Sequence, residues 1–251
     1  MADIKESSTG DKHTVRVGVF IPTDCQLLDA ASVDIMGSMS HEYMTMVEKL
    51  VPKAIIDLAP HVHIHYIGSV RAGGHIQLTS SQRVVATNHY GDAEVEPGRL
   101  DVVLVPGPDP FNAYERAALD WLGAQAGTPG VDILSVCTGI FVCGEAGLLK
   151  GKTACGPRNL QDMISAKGFG EKALVGDQYR WIQDGNFWSS GGVTNGNDLV
   201  AAYCRASPHF PTPLVEIVCE MIGVGDRAQA YGKEMTSLEN IAKLVAEPAA
   251  A

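Results

Sequence analysis

Residues 131–149 read VDILSVCTGIFVCGEAGLL, and the fold turns on how this stretch is divided. VDILSV (131–136) is a short, β-branched apolar run, the length of a buried parallel strand and too short for a core helix. Directly after Ser135-Val136 the pattern changes, and a helix is expected to run to Leu149. Working outward, VRVGVFI (15–21) and LDVVLVPG (100–107) have the same strand character. Between them lie helical patterns. Ala30 to Leu50 carries Val33, Met36, Met39, Met44, Val47 and Leu50 three to five apart and is closed by Pro52. Ala113 to Ala126 follows the PGPDP turn, and Asp198–Cys204 and Leu214–Ile222 complete the series. YRWIQDGNFW (179–188) reads as a hairpin around a two-residue Asp-Gly turn. Strands alternating with helices predict one α/β domain on a mostly parallel sheet, over residues 14–251. A flexible tail is expected over residues 1–13 and a peripheral helix ending near Pro248.

Composition narrows the function. Of 251 residues, 19 are Lys or Arg and 29 are Asp or Glu, a formal net charge of −10. A phosphate-binding surface shows as a basic excess, so nucleic acid is not the expected partner. At 45% hydrophobic and 19% charged the chain has the makings of a large core. No apolar run approaches the roughly 20 residues of a membrane span, and MADIKESSTGDKHT at the start lacks the apolar segment of a signal peptide. A soluble, cytoplasmic protein is expected. The six cysteines, Cys25, Cys137, Cys143, Cys155, Cys204 and Cys219, are scattered and form no C-x-x-C pair. In a reducing compartment they are thiols.

One of them is placed for chemistry. Cys137 falls where the strand ends and the helix starts, followed by the small Thr138 and Gly139. Such a turn lifts a side chain out at the carboxyl ends of the strands, where open α/β sheets bind ligands. Unpaired N–H groups at the helix start are expected to favour its thiolate. A cysteine at random is more often a buried filler, and that is the reading for Cys143.

The segment 135–152, SVCTGIFVCGEAGLLKGK, resembles the nucleophile elbow of the ThiJ/PfpI superfamily, and S-V-C-T-G is most similar to its isocyanide hydratase branch. VGVFIPTDCQLLDAASVDIMG (17–37), DVVLVPGPDP (101–110) and DGNFWSSGGVTNGNDLVAAY (184–203) extend the resemblance in the right order. It implies a flavodoxin-like three-layer sandwich, a homodimer, a nucleophilic Cys137 and a nearby acid, carried here by Asp29 in CQLLDAAS. Asp29 taken alone reads equally as a helix N-cap. Beside a thiolate its pKa should rise, so that it donates a proton. Thr138 is expected to hydrogen-bond near the reacting centre, and Gly107, Pro108, Gly139, Cys155 and Gly192 to line the substrate pocket. No cofactor and no metal is expected. The implied reaction is hydration of an isonitrile to an N-formamide. Alternatives on the same pair are hydration, elimination or isomerisation of a natural-product intermediate, or a glyoxalase-like reaction. A redox sensor or chaperone-like protein with an oxidisable Cys137 is the reading from another class.

Two departures from the family pattern matter. Val105-Pro106-Gly107-Pro108 stands where the family has P-G-G, and Pro108 has no N–H to offer an oxyanion. Thr153-Ala154-Cys155-Gly156-Pro157 stands where a His is usual, which weighs against protease, amidotransferase and standard glyoxalase chemistry. His41 to Pro60 reads as an insertion that reshapes the substrate entrance. His61, His63 and His65 alternate on a strand and share one face; a solvated or covered strand face is the expectation, a metal site the alternative. GGVTNG (191–196) matches no phosphate-binding glycine motif and reads as a tight turn near the elbow. Trp181 and Trp188 are expected to pack a hairpin or dimer interface, and Met36, Met39, Met44 and Met46 to fill core.

Overall fold

The computed structural model describes residues 12–232. Its seven-stranded sheet comprises Thr14–Ile21 (β1), His61–Gly68 (β2), Asn88–His89 (β3), Val102–Val105 (β4), Asp132–Val136 (β5), Trp181–Asp184 (β6) and Phe187–Ser190 (β7). The order is β6-β7-β5-β4-β1-β2-β3, and only β6 against β7 is antiparallel. The three apolar runs read as strands are β1, β4 and β5, the middle of the sheet. They are apolar throughout because both faces are covered. Val15, Val17, Val19, Leu104, Leu134 and Val136 enter one core, and Phe20, Val103, Val105 and Ile133 the other.

Helices cover each face, giving the expected flavodoxin-like three-layer sandwich. Leu27–Ala30 (α1) follows β1. Arg116–Ala126 (α2) and Gly139–Glu145 (α3) pack the Phe20 side, and Asn195–Ala206 (α4) and Thr212–Ile222 (α5) the Val17 side. From β1 the chain runs outward to β2 and β3, then crosses back to β4 on β1's other flank. That reversal makes a crevice beyond the carboxyl ends of β1 and β4, the place where open sheets of this kind bind ligands.

Five local expectations are corrected. Ala30 to Leu50 is not one helix: Leu27–Ala30, the 3-10 turn Ala31–Val33, Asp34–Ser38 and His41–Met46 follow in succession. Ser40 adopts an extended conformation and its hydroxyl accepts the Tyr43 N–H at 3.1 Å, so the chain stops and restarts there. Met36, Met39 and Met44 are core as expected, but the restart leaves Met46 73% exposed. The second helix begins at Arg116, not Ala113, and the elbow helix ends at Glu145, not Leu149. Past Glu145, Gly147 turns left-handed (φ 82°) and Leu148 N–H returns to Cys143 O at 2.9 Å. The hairpin loop is Gly185-Asn186, because Asp184 stays in the ladder opposite Phe187. The Asp184 carboxylate accepts the Thr153 N–H at 2.8 Å instead of sitting in the turn.

His41–Pro60 packs its two short helices, His41–Met46 and Lys53–Ile56, against β2 and α5. Lys12 is tied to Asp57 O at 3.1 Å and His13 to His209 at 3.0 Å. Residues 1–11 of the expected tail and the helix expected near Pro248 lie outside the described residues.

Candidate active site

Each side chain at the crevice is delivered by the carboxyl end of a different strand. Cys137 follows β5 directly and has φ 57°, a left-handed conformation that costs a non-glycine residue about 1–3 kcal/mol. The turn is tight because α3 begins two residues later. Gly139 lies so close to the Val105 carbonyl that no Cβ fits, and a Cβ on Gly196 would come within 2.6 Å of Val136. The elbow read from the sequence is therefore present, with the cysteine 8% exposed.

Asp29 is completely buried in α1. It is not the N-cap, which is Gln26. Its Oδ2 accepts the Gly107 N–H at 3.0 Å, its carboxyl faces the Cys137 thiol, and Oδ1 completes no hydrogen bond of normal geometry. Burial pushes the Asp29 pKa up to about 7, against the Gly107 N–H and the thiol, which both favour the carboxylate. Gly107 must be glycine, since a Cβ would stand 2.5 Å from Asp29 Oδ2 and 2.8 Å from Thr138 N. The β4 loop is fastened on both sides: Gln26 N–H donates to Gly107 O at 2.8 Å, and the Thr138 hydroxyl to Pro108 O at 2.6 Å. Pro108 thus contributes a carbonyl, and the Gly107 N–H is spent on Asp29.

The expectation of a thiol acidified by its helix start is corrected. Backbone N–H groups of Thr138 and Val193 face the sulfur and lower its pKa, but burial and the Asp29 charge outweigh them and push it up to about 11. The helix is only Gly139–Glu145, and the nearest charge is negative. Between the two pKa values the pair holds one proton. Its thiolate form is the one in which Asp29 carries that proton and presents it to sulfur. Burial alone drives Cys143 to about 12.

The remaining predicted residues fall around this pair. A Cβ on Gly192 would meet no atom within 4 Å, so that glycine borders open space. Cys155 is fully buried; its thiol donates to Tyr179 O at 3.1 Å and meets the Gly191 N–H, so it backs the 191–193 loop. Val193 was not foreseen. It has φ 37° and turns its N–H to Cys137, and the glycine run around it was the only signal in the sequence. Nor was Cys25, buried close enough to Asp29 that the carboxylate raises its pKa. Trp181 and Trp188 stack on each other, with ring centroids 5.9 Å apart. His61 pairs with Glu42, while His63 and His65 line an open groove with Arg16 and Arg99. Among the described residues no three His, Cys, Asp or Glu side chains are grouped to hold a metal ion, and no helix is long and apolar enough to cross a membrane.

The DJ-1/PfpI family model matches residues 38–206, which include Cys137 and leave out Asp29. Isonitrile hydratase of Pseudomonas putida is 30% identical over 152 residues, 59% of this chain and 60% of that protein. The chain therefore spans less than two thirds of that relative. Among solved structures, a ThiJ/PfpI family protein from Pseudomonas syringae aligns with a TM-score of 0.67 at 19% identity, covering 98% of this chain and 93% of that one. Schizosaccharomyces pombe DJ-1 aligns with a TM-score of 0.59 at 14% identity, over 83% of this chain and 98% of its own. At those identities the likeness is one of fold.

Proposed function

The chain belongs to the DJ-1/PfpI family, and on that premise we propose that it hydrates an isonitrile, or a similar electrophilic small molecule, with Cys137 as nucleophile and Asp29 as acid and base. The observation that carries this reading is the buried Asp29 carboxyl, with an oxygen that has no hydrogen-bond partner, facing a thiol held at a strained elbow. In the reactive form Asp29 is protonated and Cys137 is a thiolate. Sulfur attacks the terminal isonitrile carbon and Asp29 gives that carbon its proton, leaving a thioimidate and a carboxylate. The carboxylate then takes a proton from water as it adds to the same carbon. Collapse expels the thiolate as the new hydroxyl gives up its proton and the nitrogen takes one up, so the product is the N-formamide and the pair returns to protonated Asp29 and Cys137 thiolate. The sum is isonitrile plus water.

Two features favour this over acyl transfer. The Gly107 N–H is already bonded to Asp29, and Pro108 has none, so the β4 loop offers few donors to an oxyanion. No imidazole contacts the pair among the interactions found at Cys137 and Asp29. Isonitrile addition needs a proton delivered to carbon, which an acid with a pKa of about 7 can supply at neutral pH.

The test is formamide production from an aryl isonitrile. Wild type is expected to turn over and Cys137→Ala to lose activity by at least roughly a thousandfold. No formamide from wild type sinks the substrate, and equal rates sink the mechanism. Oxidation of Cys137 by mild peroxide, without turnover of isonitriles or reactive carbonyls, would favour a sensing role. The proposed active form is a homodimer, which sedimentation velocity checks.

A further inference from the structure

The loop that carries Val193 is gripped by residues far along the chain. Val193 is β-branched and sits at φ 37°, a conformation that persists only where its surroundings over-determine it. Local bonds, Asn195 N–H to Gly192 O and Gly196 N–H to Val193 O, both 3.0 Å, shape the turn. The rest of the grip comes from residues 227–231. Arg227 donates to Thr194 O at 2.8 Å and to the Asp198 carboxylate at 2.5 Å. The Tyr231 hydroxyl accepts from Asn195 Nδ2 at 2.7 Å.

Tyr231 is itself firmly held. Its N–H donates to Gln178 O at 2.9 Å, and the guanidinium groups of Arg158 and Arg180 lie 4.0 and 4.5 Å from its ring centroid. Arg180 closes the circuit. Its N–H donates to Gln229 O at 2.8 Å, its Nη1 to Ala230 O at 3.1 Å, and its own carbonyl accepts the Gly191 N–H at 2.8 Å. Both ends of the 191–195 loop are thus referred to one ring that touches neither Cys137 nor Asp29 in any contact found for those residues.

We propose that Tyr231 is a positioning residue for the Cys137 site: through Asn195 it holds the 191–195 loop in the conformation that turns the Val193 N–H onto the sulfur. This rests on Cys137 being the reactive group, and its test needs no substrate. The rate of Cys137 alkylation by iodoacetamide is followed from about pH 6 to about pH 10 by mass spectrometry on the full chain. Tyr231→Phe keeps the ring under the guanidinium groups and removes only the hydroxyl. It is expected to slow alkylation at about pH 8 roughly three- to tenfold and to displace the rising limb of the pH profile to higher pH, the size of one hydrogen bond's contribution. Asn195→Ala should do the same, and the double variant should be no slower than the slower single one, because the two act in series.

A Tyr231→Phe rate and pH profile matching wild type would overturn the proposal, as would additive effects in the double variant. So would alkylation of the buried Cys143 or Cys204 in Tyr231→Phe, which would mean general loosening. Wild-type Cys137 inert at every pH would overturn the nucleophile reading itself. A reactive Cys137 without isonitrile turnover would overturn only the substrate.

Discussion

At the scale of single residues, the site is governed by desolvation more than by the helix terminus. Burial raises both pKa values: Asp29 moves into the neutral range although the thiol favours its carboxylate, while Cys137, raised further by the Asp29 charge, moves away from it. Stability follows with a definite sign. The folded pKa of about 7 lies above the unfolded value of about 3.9, so the native state binds the extra proton in that window. The stability that the protonated Asp29 contributes should therefore be lost as pH rises from about 4 to about 7, with no further change above. An asparagine in place of Asp29 keeps an oxygen for the Gly107 N–H and cannot ionise. Asp29→Asn should accordingly melt higher than wild type, by more at about pH 8 than at about pH 5, while losing roughly a hundredfold or more in turnover. The same difference in melting temperature at both pH values would mean that the carboxyl titrates normally and that its burial does not matter.

At the scale of elements, the site depends on loops approaching one another more closely than side chains permit. The β4 loop passes between Asp29 and Thr138 at Gly107, where any Cβ collides with both. Gly107→Ala should cost about 1–3 kcal/mol, as overpacking does in a closed site, and lower the melting temperature by roughly 2–4 °C per kcal/mol. Activity should fall further than stability, because the displaced carboxyl no longer meets sulfur. Differential scanning calorimetry beside the isonitrile assay checks this, and an unchanged turnover rate would show that the Asp29–Gly107 bond does not set the geometry. The interrupted helix after β1 was illegible for a related reason. Its apolar spacing is helical, but one helix stops at Ser38 and Ser40 turns extended and caps the next through a single hydroxyl, and a periodicity read over the whole stretch averages such a break away.

At the scale of the whole molecule, two cores press on one sheet. Leu134 in β5 faces the core with Leu104 and Trp188, while its neighbour Ile133 faces the other with Phe141. Leu134→Ala empties space directly beneath the elbow and should cost about 2–5 kcal/mol, read as a lower urea midpoint with an unchanged slope. An effect below about 1 kcal/mol would mean that the sheet relaxes into the gap.

The three central strands, the mostly parallel sheet and the elbow at Cys137 were legible in the sequence, because each is written in a short run of residues, whereas the two-residue edge strand Asn88–His89 was not. Length and period of apolar segments report local backbone geometry, and a cysteine between a strand and Thr-Gly reports a turn. The place of Asp29 beside Cys137 was legible only through resemblance, since Asp29 alone reads as a cap. Tertiary structure decided the rest. Asp29 meets Gly107 across 78 positions and Asn195 meets Tyr231 across 36, and no local pattern records such pairings. The direction of the Cys137 pKa shift depends on how much water the whole fold removes and which charge it leaves nearby. Desolvation belongs to the packed molecule, so the sequence locates the thiol and only the structure says how tightly its proton is held.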